Sequence, residues 1–249
     1  MRNGDLSLHG RVAIVTGAAR GIGYATAACL ARLGASVLLQ DIDGGAVDER
    51  CSRLREAGRD VEVCSGDVSC ADDAAMMAEL ALRSWGRIDI LVNNAGIGGI
   101  GKTLLELKTE EWKRMIEVDL TGVFLCCRAV LPQMIKQNRG SIVNIASITG
   151  QMGVGGSTHY AAAKAGVIGF SKALAHEVAR HFINVNVISP GLVDTDMSRA
   201  RGIEHQRHLV IWPRIGSVED IAWAVAYLAS DRAEFITGAV LNINGGAYM

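Results

Sequence analysis

Tyr160 and Lys164 stand four residues apart in a stretch that reads as a helix, so their side chains share one face. Ser147 lies upstream at the end of an apolar run, with twelve residues between it and Tyr160. A free tyrosine gives up its proton near pH ~10, too high for a base at neutrality. An ammonium one turn away favours the phenolate. Lowering the titration by ~3 units takes roughly 4 kcal/mol of differential stabilisation. A serine hydroxyl beside them can hold a substrate oxygen. The set fits proton exchange with an alcohol or carbonyl oxygen. Each residue alone has a plainer reading, as core or surface; the spacing of the three is what points to chemistry.

A second group lies near the start. Thr16-Gly17-Ala18-Ala19-Arg20-Gly21-Ile22-Gly23 follows the apolar run VAIVT and precedes a helical pattern. Glycines there permit a tight turn and a close backbone approach to a pyrophosphate, and the helix N-terminus offers free N–H groups. The alternative is a structural turn with no ligand. Asp41 and Ile42 follow the second apolar run, and an acidic side chain at that point accepts hydrogen bonds from ribose hydroxyls and repels a 2′-phosphate. A solvated aspartate at a strand end is the alternative there. Arg20 could meet a phosphate or face solvent. Asp41 weighs more, so the expected cofactor is NAD rather than NADP, bound through Gly17, Arg20, Gly21, Ile22, Gly23, Asp41 and Ile42.

The elements that must position these groups alternate. Apolar runs predict strands at 12–16, 36–40, 61–65, 88–93, 141–147, 184–189 and 240–244. Helical spacing covers the stretch after Gly23 up to a cap at Gly34, then 46–57, 72–85, roughly 110–138, 158–181 and 218–229. Pro132 inside the long helix is a candidate kink. Continuous apolar strands between helices predict an α/β fold, a doubly wound parallel sheet of about seven strands with helices on both faces. No linker or repeat interrupts the pattern, so one domain over 1–249 is expected, with a polar segment at about 192–213 as a substrate lid.

Composition narrows the class. With 49% hydrophobic and 20% charged residues the chain is globular rather than disordered. A net charge of −1 gives no electrostatic footprint for nucleic acid. The six cysteines form no CxxC pair and no Cys/His ligand spacing, so no metal site is expected; they read as buried, reduced thiols. The first ten residues carry no secretory pattern, and the uncharged stretch 140–163 is too polar and glycine-rich to span a membrane. A cytoplasmic protein is expected.

Taken together the motifs resemble the short-chain dehydrogenase/reductase family over about Gly10 to Gly246, through TGAARGIG (16–23), Asp67-Val68, NNAG (93–96), Ser147, YAAAK (160–164), Pro190-Gly191 and Thr195. The resemblance implies that Tyr160 is the acid/base, that Lys164 assists it and holds the nicotinamide ribose, and that Ser147 polarises the reacting oxygen. It also implies that Asp67 and Val68 border the adenine and that Asn94, Ala95 and Gly96 line the cofactor's path, Asn93 being more structural. Pro190, Gly191, Val193 and Thr195 would meet the nicotinamide end. A homotetramer is implied too, joined through the long helices and the C-terminal end. One departure stands out. The family usually has asparagine in a stretch like NLTGVF, where this chain reads DLTGVF, with Asp119. That residue is tied to the proton relay, through its side chain or its backbone carbonyl.

The substrate wall is expected from Ile148–Met152, Ile97–Ile100, His159 and 192–213. His159 either touches substrate or packs. Arg199, Arg201 and Arg207 read as a solvated lid surface, with attraction of an anionic group as the alternative. The leading expectation is hydride transfer between NAD(H) and a small-molecule secondary alcohol or ketone. The alternatives are an NADP-dependent 3-oxoacyl reductase, against which Asp41 counts, and a catalytically silent dinucleotide-binding protein.

Overall fold

The strands bury side chains alternately on two faces, and this alternation builds the molecule. In the computed structural model, which describes residues 6–99, 101–200 and 202–249 (the side chains of 204–206 apart), seven strands form one sheet. They are β1 (Val12–Thr16), β2 (Ser36–Asp41), β3 (Val61–Ser65), β4 (Ile90–Asn93), β5 (Gly140–Ile145), β6 (Ile183–Pro190) and β7 (Val240–Ile243). Their order is β3-β2-β1-β4-β5-β6-β7 and every pair is parallel. Ile100 and Arg201 lie outside the described residues.

On one face Ala13, Val15, Val37, Leu39, Ile90, Val92, Val143, Ile145 and Ile188 pack against three helices. These are α1 (Gly21–Arg32), α2 (Gly44–Glu56) and, from near the end of the chain, Val218–Ala229. On the other face Val12, Ile14, Leu38, Leu91, Ile142, Val185 and Val187 meet α3 (Ala71–Trp85) and the two long helices that follow. The period of two in β1, with Val12 and Ile14 on one side and Ala13 and Val15 on the other, is the strand's own geometry. Because both faces are covered, the strands read as unbroken apolar runs.

The first long helix begins as α4 (Thr109–Ile116), widens into a π-turn at Glu117–Thr121, and continues as α5 (Gly122–Gln137). α5 runs through Pro132 without a break and stops at Asn138, whose φ of 51° is left-handed. Then come α6 (Thr149–Met152), α7 (Thr158–Val178), α8 (Asp196–Arg199) and α9 (Val218–Ala229). α1 ends one residue before the expected cap: Leu33 is its cap, and Gly34 follows at φ +94° with the ring of His9 filling the place a Cβ would take. A reciprocal cap, Ser217 Oγ with the Asp220 backbone and Asp220 carboxylate with the Ser217 N–H, starts α9.

Two expectations change. β5 stops at Ile145, so Ser147 sits in the turn beyond the strand, where its Oγ accepts from the Thr149 N–H at 3.2 Å. Five cysteines are buried but Cys70 is exposed. Burial pushes the Cys126 thiol up to about 12, which leaves it a packing group and not a nucleophile. No helix among the described residues is long and apolar enough to cross a membrane.

Leu91, fully buried in β4 at the centre of the sheet, measures the packing. Leu91→Ala is expected to lower the unfolding free energy by about 2–5 kcal/mol, the cost of lost contacts plus a cavity. Urea unfolding of the two proteins, compared at equal slope, checks this.

Candidate active site

In a parallel sheet all strand C-termini reach one edge, and the groups singled out above gather there. The chain order reverses between β1 and β4, which opens a crevice at that edge. Thr16 ends β1, and its buried Oγ1 accepts from the N–H of Asn94 at 3.1 Å and of Ala95 at 3.0 Å. The Asn94 amide returns two bonds, to the carbonyls of Thr16 (3.0 Å) and Gly17 (3.1 Å). The two loops are thereby in contact: a Cβ on Gly17, itself at φ +65°, would lie 2.8 Å from the Ala95 Cα. A Cβ on Gly23 would lie 2.0 Å from the Gly17 carbonyl oxygen, so only glycine lets the helix start so close under the loop.

The N-terminus of α1 fits a diphosphate. Arg20, at the N-cap, makes no side-chain cap, and the first turn holds no acidic residue. Its N–H groups and the positive end of the helix dipole are thus left to an anion. Asp41 is 7% exposed; its Oδ2 accepts from the Ala19 N–H at 2.9 Å and its Oδ1 from the Asp43 N–H at 3.0 Å. Those bonds fix a negative charge beside the loop, and each carboxylate oxygen keeps further acceptor capacity for ribose hydroxyls. Arg20 is exposed, and Ile42 is exposed beside Asp41. The guanidinium of Arg50 donates to the Ala19 carbonyl at 3.2 Å and stacks on the Tyr24 ring. It was not among the expected residues, and its place in α2 carries no spacing signal.

Past β3, the Asp67 carboxylate accepts from the Ser69 N–H (2.9 Å) and hydroxyl (2.6 Å) and pairs with Arg114 of α4 at 2.8 Å. Although partial burial works the other way, the Ser69 and Arg114 bonds hold its titration below the usual carboxylate range. Val68 is buried against Gly122, where any Cβ would come within 2.9 Å of it. Asn93 is structural as expected: its amide donates to Asn144 Oδ1 at 2.8 Å, and Asn144 donates to Ser171 Oγ at 2.8 Å. This buried chain links β4, β5 and α7.

Lys164 and Asp119 form the centre. Asp119 is fully buried, and its Oδ1 accepts from the Ile97 N–H at 2.8 Å. Its Oδ2 lies 3.1 Å from the Lys164 ammonium, off the hydrogen-bond direction, so the contact is an ion pair first. The ammonium also donates to the Ile145 carbonyl at 3.2 Å and lies 5.7 Å from the centre of the Tyr160 ring. Burial works to lower the Lys164 titration. The Asp119 charge and the Tyr160 oxygen outweigh it, and the net direction is up, so the ammonium keeps its proton. Gly96 makes room, since a Cβ there would stand 2.9 Å from Asp119 Oδ2 and 3.4 Å from the Lys164 nitrogen.

On the far side, the Pro190 carbonyl accepts from the Ile148 N–H at 3.1 Å, tying β6 to the turn that holds Ser147. Gly191 passes Asn244 so closely that a Cβ would meet its Cβ at 2.6 Å. Val193 bridges to Gly216, and Thr195 caps α8 by accepting from the Ser198 N–H. His159 is buried and packs over Gly99, close to the Met115 methyl. Ile97, Met152, Leu209, Ile211 and Trp212 leave apolar surface exposed. Arg199 pairs with Asp194 at 2.7 Å, and Arg207 donates to the carbonyls of Val210 and Trp212. Those two arginines brace the segment 192–213. That segment is fastened to the tail as well, where the Ile211 and Trp212 N–H groups both donate to the Gly245 carbonyl. Among the described residues no three His, Cys, Asp or Glu side chains gather as a metal site.

The family model described as "Enoyl-(Acyl carrier protein) reductase" matches residues 17–248. The chain is similar to 3-oxoacyl-[acyl-carrier-protein] reductase FabG of Escherichia coli (strain K12), 42% identical over 247 residues, covering 98% of this chain and 100% of the relative. It is 40% identical over 245 residues to the 3-oxoacyl-[acyl-carrier-protein] reductase of Synechocystis sp., covering 98% and 99%. Among solved structures it superposes on gox2181 with a TM-score of 0.94 at 33% identity, and on a putative gluconate dehydrogenase from Agrobacterium tumefaciens with 0.92 at 32%. Each comparison covers 97% of both chains.

The Thr16 hydroxyl is the joint of the crevice, and Thr16→Val keeps its shape while removing its acceptor. Two backbone N–H groups then lose their partner, at about 1–3 kcal/mol each. Lower denaturation midpoints and weaker binding of a reduced nicotinamide dinucleotide, followed by quenching of tryptophan fluorescence, are the expected outcome.

Proposed function

The chain belongs to the short-chain dehydrogenase/reductase family and is an oxidoreductase of CH–OH and C=O centres, and we propose that its substrate is a 3-oxoacyl thioester, reduced at the ketone with NADH. The full-length identity to 3-oxoacyl-[acyl-carrier-protein] reductases carries the substrate class. Hydride transfer to or from a secondary alcohol or ketone is the general reaction within which this is the narrower reading. The exposed apolar lid residues suit an acyl chain. Two observations underlie NADH over NADPH. Asp41 fixes a carboxylate at the loop, and Arg50 is already engaged with the Ala19 carbonyl and Tyr24.

When bound, the reduced nicotinamide supplies the hydride. The glycine loop and the α1 N-terminus hold the diphosphate, and Asp41 the ribose hydroxyls. Asp67 and Val68 border the adenine, while Pro190, Gly191, Val193 and Thr195 border the nicotinamide end. Ser147 donates a hydrogen bond to the ketone oxygen. The Tyr160 hydroxyl gives its proton to that oxygen, and the Lys164 ammonium stabilises the phenolate left behind. A homotetramer of a cytoplasmic protein completes the reading. Phe124, exposed on the first long helix, leaves apolar surface for a contact between copies there.

The test is oxidation of NADH and NADPH followed by absorbance, with acetoacetyl-CoA as the 3-oxoacyl thioester. Turnover with higher kcat/KM for NADH is expected. Absence of turnover with 3-oxoacyl thioesters of any chain length, alongside NAD reduction by a sugar or polyol, would overturn the substrate. Asp41→Ala is expected to narrow the gap between the two cofactors; a native preference for NADPH would overturn the role given to Asp41.

Tyr160→Phe removes the proton carrier and keeps the ring. Turnover is expected to fall at least ~10²-fold with NADH binding retained, as read by steady-state rates beside a binding titration. Near-normal turnover would remove Tyr160 from the reaction.

A further inference from the structure

Lys164 faces two anions. One is the Tyr160 phenolate, which exists only while the proton is away. The other is the Asp119 carboxylate, which is fixed in place by the Ile97 N–H and lies 3.1 Å from the ammonium. Among the described residues Lys164 forms an ion pair with no other carboxylate. The strands β5 and β6, the loop 94–97 and α6 carry no ionisable side chain. On α4 and the π-turn, Glu110, Lys113, Arg114 and Glu117 are exposed and Glu111 pairs with Lys102. Arg128 and Lys136 of α5 are exposed. On α7 itself only His159 adjoins Tyr160, and Asp194 beyond β6 is paired with Arg199.

With the phenolate formed, Asp119, Lys164 and Tyr160 together carry one net negative charge. With an uncharged side chain at 119 they would carry none. We propose that Asp119 is a positioning residue which, through Lys164, holds Tyr160 in its protonated form at neutral pH and so poises the site for carbonyl reduction. This rests on the reading of Tyr160 as the acid/base.

The two directions need opposite forms. In reduction a hydride, leaving a C–H bond of the reduced nicotinamide that is thereby oxidised, would add to the carbonyl carbon as the C=O π bond breaks. The Tyr160 O–H bond breaks as its proton moves to the carbonyl oxygen, and solvent reprotonates the phenolate. Oxidation runs the same steps backward and must begin with the phenolate. A carboxylate beside the ammonium therefore widens the pH window of reduction and moves that of oxidation to higher pH. The overall equilibrium is untouched. A unit charge on the other side of the ammonium, at an effective dielectric of ~20, moves a titration by on the order of one pH unit.

Asp119→Asn keeps the shape and an acceptor for the Ile97 N–H while removing the charge, and Asp119→Ser removes it in a smaller side chain. Tyrosinate absorbance is titrated in each protein, with the corresponding Tyr160→Phe protein subtracted. The pH profiles of kcat for reduction and oxidation are recorded beside it. The Tyr160 midpoint is expected to fall by about one unit or more in both variants. Oxidation should gain at neutral pH and reduction should lose its alkaline range. A midpoint that stays put or rises in the Asn variant, or variants that move in opposite directions, would overturn the proposal. The spectroscopic midpoint needs no substrate, so it stands apart from failure of the 3-oxoacyl reading, and full activity of Tyr160→Phe would remove the acid/base reading itself.

Discussion

Everything at the working edge depends on how closely the chain can pass itself between β1 and β4. That separation is set by one hydroxyl, two glycines and an amide. Thr16 satisfies the first two N–H groups of the β4 loop, and Asn94 satisfies the last carbonyl of β1 and the first of the glycine turn. Groups at this depth must find partners, and here each loop supplies what the other lacks. A crevice whose walls are hydrogen-bonded to one another presents a fixed shape to whatever enters it. The helix behind the loop is thus aimed before any ligand arrives.

The same economy of partners continues inward. Asn93, Asn144 and Ser171 form a buried polar line from β4 to α7, ending where the Ser171 hydroxyl donates to the Val167 carbonyl at 2.6 Å. It fixes the height of α7 against the sheet, and α7 carries Tyr160 and Lys164. The π-turn does the corresponding work on the opposite helix. Its wider winding, with the Gly122 N–H donating to the Glu117 carbonyl, sits at the point where Asp119 reaches the ammonium. Wide turns within helices are often found at functional sites. A carboxylate so deeply buried is tolerable only because an ammonium and a backbone N–H meet it.

Much of this was legible in the sequence, and the reason is locality. A strand buried on both faces is an unbroken apolar run, and a glycine turn under a helix N-terminus is a contiguous motif. All seven strands and the six long helices could therefore be read directly. What could not be read depends on contacts between distant segments. Thr16 gives no hint that its hydroxyl serves the β4 loop. Arg114 gives none that it pairs with Asp67, nor Arg50 that it binds the Ala19 carbonyl. Asp119 stood out as a departure, but its ion pair with Lys164 became visible only when the helices were set side by side. α6 and α8, at four residues each, are too short for any period to register. The exposed Cys70 differs from the other thiols because it caps the start of α3 instead of lying within an apolar face.

The attachment of the segment 210–212 to the tail combines two main-chain bonds with side-chain packing on a glycine pair. Ile211 and Trp212 donate main-chain N–H groups to the Gly245 carbonyl, and Gly245 and Gly246 lie too close to that segment for any larger residue. No side chain at 211 or 212 takes part in those two bonds. The two bonds accept any residue with a backbone N–H at 211 and 212, whereas the packing requires side chains at 210–212 that fit over bare glycine backbone. A glycine pair near the tail thereby limits which side chains the segment passing over it can carry.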